Sequence, residues 1–175
     1  HYGVSNFIWL DGQAGLEITD QHIDGFARFG NASTIVTMKH EDLLNFDVKE
    51  SDIKKLYSAK NANGKPYKYV KVPLTKENVV TDYGKDLGYK GSYCNYYIAN
   101  TVVLVPNYED PNDDVANAII QKLYPTRKVI GIDVSKQVTL TDLSSNFKKY
   151  FLKNQDVQKA KMYSLLVYDA KTAGK

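Results

Sequence analysis

The 175-residue chain is 43% hydrophobic and 25% charged, a balance that suits one folded domain or part of a larger one and excludes a disordered polar tail. Its net charge of +3, without runs of like sign, excludes a nucleic-acid-binding stripe, and no apolar stretch approaches the roughly 18 residues of a membrane span. Cys94 is the only cysteine, so no internal disulfide forms and the compartment stays open, the cytoplasm being favoured. The chain opens on His1 rather than Met, as expected of a processed product or a piece of a longer chain.

In chain order, Phe7-Ile8-Trp9-Leu10 closed by Asp11-Gly12 is expected to be a short buried strand and a turn. Residues 23–29 alternate Ile23, Gly25, Ala27 and Phe29 with Asp24, Phe26 and Arg28, which predicts a strand with one polar face. Gly30-Asn31 fits the hairpin turn, because both residues tolerate positive φ, and 34–38 the return strand. Residues 48–59 have helical spacing, with Ile53, Leu56 and Tyr57 on one face, and 66–72 is strand-like again. Residues 75–91, with three glycines and mixed charges, are expected to form a long surface loop.

The pattern then recurs. Residues 93–99 are expected to be a strand, Asn100 a turn, and 101–105 a β-branched strand. Asp110-Pro111 supplies an N-cap and a helix-starting proline, with Val115, Ala118, Ile119 and Leu123 as the buried stripe. Residues 128–133 form the next strand. Tyrosines such as Tyr93, Tyr96 and Tyr97 fit strand packing with a polar tip. Both halves follow the order strand, hairpin, strand, helix, strand, a repeat of roughly 70 residues. After Val134 the order changes: a strand at 138–141, a helix capped by Asp142 with Leu143, Phe147, Tyr150 and Phe151 on its apolar face, and a strand at 163–168.

His22 and Asp24 stand two apart at the start of a predicted strand, so both side chains project to one face. A histidine beside a carboxylate can move protons, and a carboxylate can hold a cation; the bland alternative is a hydrogen-bonded pair at a strand edge. Asn95, on the equivalent strand of the second repeat, can reach the same site, or it is a hydrogen-bonded amide at a strand end. His40, within Lys39-His40-Glu41-Asp42, fits a solvated loop. Three scattered histidines and one cysteine give no zinc spacing, so no metal is expected, and no phosphate loop or Gly-x-Ser-x-Gly elbow is present. Asp110, Asp113 and Asp114 lack the Gly and Glu of a calcium loop, and helix capping explains them better.

Two stretches carry a resemblance. One is Gly3-Val4 with Phe7-Ile8-Trp9-Leu10-Asp11-Gly12 and Ile18-Thr19-Asp20-Gln21-His22-Ile23-Asp24-Gly25-Phe26-Ala27-Arg28-Phe29. The other is Ser92-Tyr93-Cys94-Asn95-Tyr96-Tyr97-Ile98-Ala99-Asn100, with Val105-Pro106, Asp110-Pro111-Asn112-Asp113 and Val129-Ile130-Gly131-Ile132-Asp133. In this order they resemble the agmatine deiminase family, which includes the bacterial-type peptidylarginine deiminases, over about residues 1–134. The resemblance implies an α/β fold, a partial pentein propeller of about two ββαβ modules (1–134) with a divergent C-terminal β-α-β unit (135–175). It also implies hydrolysis of a guanidine, agmatine or peptidyl arginine, to a urea and ammonia without cofactor or metal. In that family a cysteine thiolate attacks the guanidinium carbon, a histidine moves protons and two carboxylates clamp the cationic nitrogens. His22 takes the acid–base position and Asp24 that of one clamping carboxylate; Asn95 matches a polar position near the substrate.

Two departures accompany the matches. The family's first clamping acid belongs to an N-terminal half that is not in this sequence. Its nucleophile belongs to a Gly-rich segment soon after the counterpart of Asp133, where this chain has Ser135-Lys136-Gln137-Val138-Thr139-Leu140-Thr141. Cys94 stands at a packing position beside Asn95 and is no substitute. The expectations are therefore a deiminase-family chain inactive alone, a non-catalytic binding or structural protein reusing half the fold, or a piece of a longer enzyme. An open half-propeller would expose sheet edges and apolar faces, so self-association or a complementary chain is expected.

Overall fold

The computed structural model describes residues 6–14, 21–80 and 84–135. Two pieces of the first motif, Gly3-Val4 and Ile18-Thr19-Asp20, and the elements expected after Ser135 lie outside the described residues.

The described part is mixed α/β. Strands β1 (Arg28–Asn31) and β2 (Thr34–Thr37), helices α1 (His40–Asn45) and α2 (Glu50–Ser58), and strand β3 (Lys68–Lys71) form the first unit. A hairpin of β4 (Leu74–Val80) and β5 (Asp86–Ser92) follows. Strands β6 (Tyr97–Ile98) and β7 (Val102–Asn107), helix α3 (Asn112–Leu123) and strand β8 (Lys128–Asp133) form the second unit.

The two units share one topology. Their sheets run β1-β2-β3 and β6-β7-β8, with the first pair antiparallel and the second parallel. Ile35 pairs with Phe29 on one side and Tyr69 on the other, as Val103 pairs with Ile98 and Val129. A central strand reached by a helical crossover is covered on both faces, so Thr34–Thr37 is buried throughout and Val103, Leu104 and Val105 are buried in β7. One core cluster joins Ile35, Val36, Ile53 and Leu56 to Val103, Val105, Ala116 and Ile120.

Each crossover helix carries a buried aspartate in its first turn. Asp52 accepts the N–H groups of Asp11 and Gly12, both at 2.9 Å. Asp113 accepts the Tyr93 hydroxyl at 2.7 Å and the Tyr108 and Asp110 N–H groups. Asp110 accepts the Asn112 N–H at 2.8 Å, but α3 starts at Asn112 with Pro111 at its N-cap, so Asp110 stands one residue ahead of the expected cap position.

Several expectations are corrected. Residues 7–10 are not a strand: Phe7 and Trp9 stack on each other in solvent, while Ile8 and Leu10 pack on the core. The first hairpin turns at Ala32-Ser33, two residues later than Gly30-Asn31, and Asn31 Oδ1 accepts the Ser33 N–H at 3.0 Å. The expected loop at 75–91 is mainly the β4–β5 hairpin. Two of its three glycines misled because they serve a strand: Gly88 takes φ +75° beside a register shift, and a Cβ at Gly91 would meet the Tyr108 ring at 2.7 Å. His40 opens a short helix rather than lying in a loop, with Nε2 2.8 Å from Glu50 Oε2. In α3 the inward Asp113 sets the phase, so Ala116 and Ile120 are fully buried and Val115 is exposed.

Candidate functional site

The chain enters the site through Gln21, which holds φ +82°, an uncommon conformation for a residue with a side chain. Its amide Nε2 donates to the Phe46 carbonyl at 3.2 Å and fixes the turn. Residues 23–25 then form a 3-10 turn, not the start of a strand: Gly25 N–H donates to His22 O at 3.3 Å and Phe26 N–H to Ile23 O at 3.1 Å. Phe26 and Ala27, both buried, anchor the turn from behind. The turn still brings the expected pair together. His22 Nδ1 lies 3.4 Å from Asp24 Oδ1, with side chains 55% and 52% exposed. A pair this open to water adds little to stability, and both groups are accessible to a ligand.

Residues 92–96 form the facing segment. Burial in the order Tyr93, Cys94, Tyr96, with only Asn95 exposed, cannot be met by a strand's strict alternation. The chain therefore bends here, and the strand expected at 93–99 shrinks to Tyr97–Ile98. The tyrosine tips find partners: Tyr93 donates to Asp113, and the Tyr96 and Tyr124 hydroxyls lie 3.0 Å apart.

Two links join the segments. Ser92 Oγ donates to the Gly25 carbonyl and accepts the Cys94 N–H at 3.1 Å. Arg28 Nη1 donates to the carbonyls of Cys94, at 3.3 Å, and Tyr96, while its guanidinium lies 4.0 Å from the Tyr96 ring centroid. Asn95 thus stands exposed between two carbonyls held by the strand that follows the His22–Asp24 turn.

Cys94 faces the other way. It is 0% exposed, and burial pushes its thiol up to about 12, against weaker lowering by Ser92 and Arg28. It carries essentially no thiolate at neutral pH. Gln21, Arg28 and Ser92 were not singled out from the sequence. Arg28 stood on the polar side of the predicted strand, but its acceptors lie 66 and 68 residues away, where no local pattern points.

An imidazole and a carboxylate side by side on an accessible turn can exchange a proton and attract a cation. Among the described residues no group of three or more His, Cys, Asp or Glu side chains could hold a metal ion.

The architecture defines a mixed α/β protein with two three-stranded sheets of one strand order and an exposed histidine–carboxylate pair on a turn leading into the first sheet. Residues 1–141 match the model of the Porphyromonas-type peptidyl-arginine deiminases, and the chain belongs to that family. It is 25% identical over 148 residues to an agmatine deiminase of Pseudomonas fluorescens, covering 75% of this chain and 40% of that protein. It is 27% identical over 159 residues to an agmatine deiminase of Medicago truncatula, covering 81% and 42%. The chain thus spans about 40% of the length of the curated relatives it matches. Among solved structures, one from Porphyromonas gingivalis assigned as an arginine deiminase is 33% identical with a TM-score of 0.54, over 66% of this chain and 33% of that one. The agmatine deiminase of Enterococcus faecalis, 24% identical, shares the fold with a TM-score of 0.61 over 73% of this chain and 39% of that one.

Proposed function

We propose that this chain forms one side of a guanidine-binding deiminase site and does not itself carry out the covalent step. The supporting observation is the exposed His22–Asp24 pair at 3.4 Å, at the start of a segment linked to the one bearing Asn95. In this reading Asp24 holds a cationic nitrogen of agmatine or a peptidyl arginine, His22 exchanges protons with the bound group, and Asn95 offers its amide. The two three-stranded units are modules of a pentein propeller, and the sequence from 135 to 175 diverges from the family pattern.

A guanidinium is resonance-stabilised, so water attacks it very slowly without a strong nucleophile and charge-holding groups. A positioned acid–base group supplies about 10²- to 10⁴-fold in rate, far short of what a thiolate adduct contributes. The chain's single thiol is buried and protonated, which favours binding without turnover. The test is an NMR titration with agmatine. Shifts should centre on residues 22–25 and 94–96 and be abolished by Asp24→Asn. A titration that leaves these residues unmoved would defeat the reading.

A further inference from the structure

We propose that Arg28 is a positioning residue that fixes Asn95 against the His22–Asp24 turn. The inference rests on the guanidine-binding reading and names the device by which one polar group of that site is held. Arg28 is the first residue of β1, and its guanidinium reaches out of the first unit into the bend ahead of β6. There one nitrogen, Nη1, donates to the carbonyls on both sides of Asn95, and the planar cation covers the face of Tyr96. Holding the Cys94 carbonyl, in the peptide unit that enters Asn95, and the Tyr96 carbonyl, one residue further on, brackets Asn95 and limits where its side chain can point. That matters at Asn95, whose own side chain is exposed while its neighbours are buried.

The bend is also fastened by Tyr93 to Asp113 and by Tyr96 to Tyr124, so core packing alone anchors its ends. What those contacts leave undetermined is the direction of Asn95. The position carries a cost as well: Arg28 Nε is buried and has no hydrogen-bond partner among the described residues. A buried donor without an acceptor is destabilising by about 1–3 kcal/mol, and a methionine of similar length would avoid it. A guanidinium tolerated despite that cost, and aimed at two carbonyls around one exposed amide, fits placement of the amide better than stabilisation of the fold.

The experiment compares the 175-residue chain with Arg28→Met, Arg28→Lys, Asn95→Ala and the Arg28→Met/Asn95→Ala double variant. Backbone ¹⁵N relaxation at Asn95 and agmatine affinity are the two readouts. Arg28→Met should make Asn95 mobile on the nanosecond timescale and weaken agmatine about tenfold, the loss of one well-placed hydrogen bond. Arg28→Lys should fall between, because an ammonium lacks the planar guanidinium that stacks on a ring and bridges two acceptors. In the Asn95→Ala background Arg28→Met should cost no further affinity, a non-additivity that general destabilisation would not produce. Ile53→Val, in the core of α2, serves as the control that lowers stability and leaves affinity unchanged.

A rigid Asn95 in Arg28→Met, or affinity losses that add fully in the double variant, overturns the proposal. If Arg28→Met does not fold, Arg28→Lys decides by the same readouts. If the unaltered chain does not bind agmatine, the guanidine-binding reading falls. Relaxation at Asn95 still decides the positioning role, mobility in the variant supporting it and rigidity refuting it.

Discussion

Cys94 should resist thiol reagents in the folded chain and react freely in the unfolded one. Its ordinary value of 9.0 is pushed up to about 12 by burial, so at pH 8 the thiolate fraction falls from roughly a tenth to about 10⁻⁴. That alone slows attack on a disulfide reagent about a thousandfold, since the thiolate is the reacting species. Access slows it further: Cys94 is 0% exposed beneath Tyr93 and Tyr96, also buried, so labelling must wait for the 92–96 bend to open. The assay is labelling of the native chain with an aromatic disulfide, followed by absorbance, against the same reaction in urea. Slow native labelling that accelerates in step with unfolding is expected. Native labelling within tenfold of the unfolded rate would refute the buried thiol, and with it the dismissal of Cys94 as a nucleophile.

Asp113→Ala strands the Tyr93 hydroxyl and two backbone N–H groups, and should cost about 3–5 kcal/mol by urea denaturation. Its exposed neighbour Asp114→Ala should stay within about 0.5 kcal/mol, and equal effects would contradict the bonding pattern. Alkali should unfold the chain. Cys94 rises from 9.0 to about 12, Tyr108 from 10.0 to about 12, and burial raises Tyr93 and Tyr96 as well. From pH 9 upwards the unfolded chain releases protons that the folded chain keeps. Stability present below pH 9 is therefore lost progressively towards pH 12, and a urea midpoint unchanged from pH 8 to 11 would contradict these shifts.

Much of the fold was legible because alternation and helical spacing report burial directly. β7, β8 and α2 lie where apolar periodicity places them, and the two sheets repeat one strand order, as the recurring order of elements in the two halves implies. Errors arose where something other than burial set the backbone. Gly88 and Gly91 looked like loop residues because their register and packing partners lie in other elements. Three buried side chains within four residues bend the chain at 93–96, where a tyrosine-rich run suggested a strand. His22 and Asp24 were expected to meet across a strand's two-residue period and meet across a 3-10 turn instead. The segment carrying Asn95 does lie against theirs, through Ser92 and Arg28, contacts of long sequence separation that periodicity does not encode.

Binding of guanidine cations by the 175-residue chain without their hydrolysis is the core of the proposed function. The direct measurement is ureido product and ammonia release from agmatine and from a peptidyl-arginine substrate, with His22→Ala as control. No product above the reagent blank is predicted for either chain. Turnover by the unaltered chain that disappears in His22→Ala would contradict the claim, and loss of that turnover in Cys94→Ser would identify the thiol rejected here as the nucleophile.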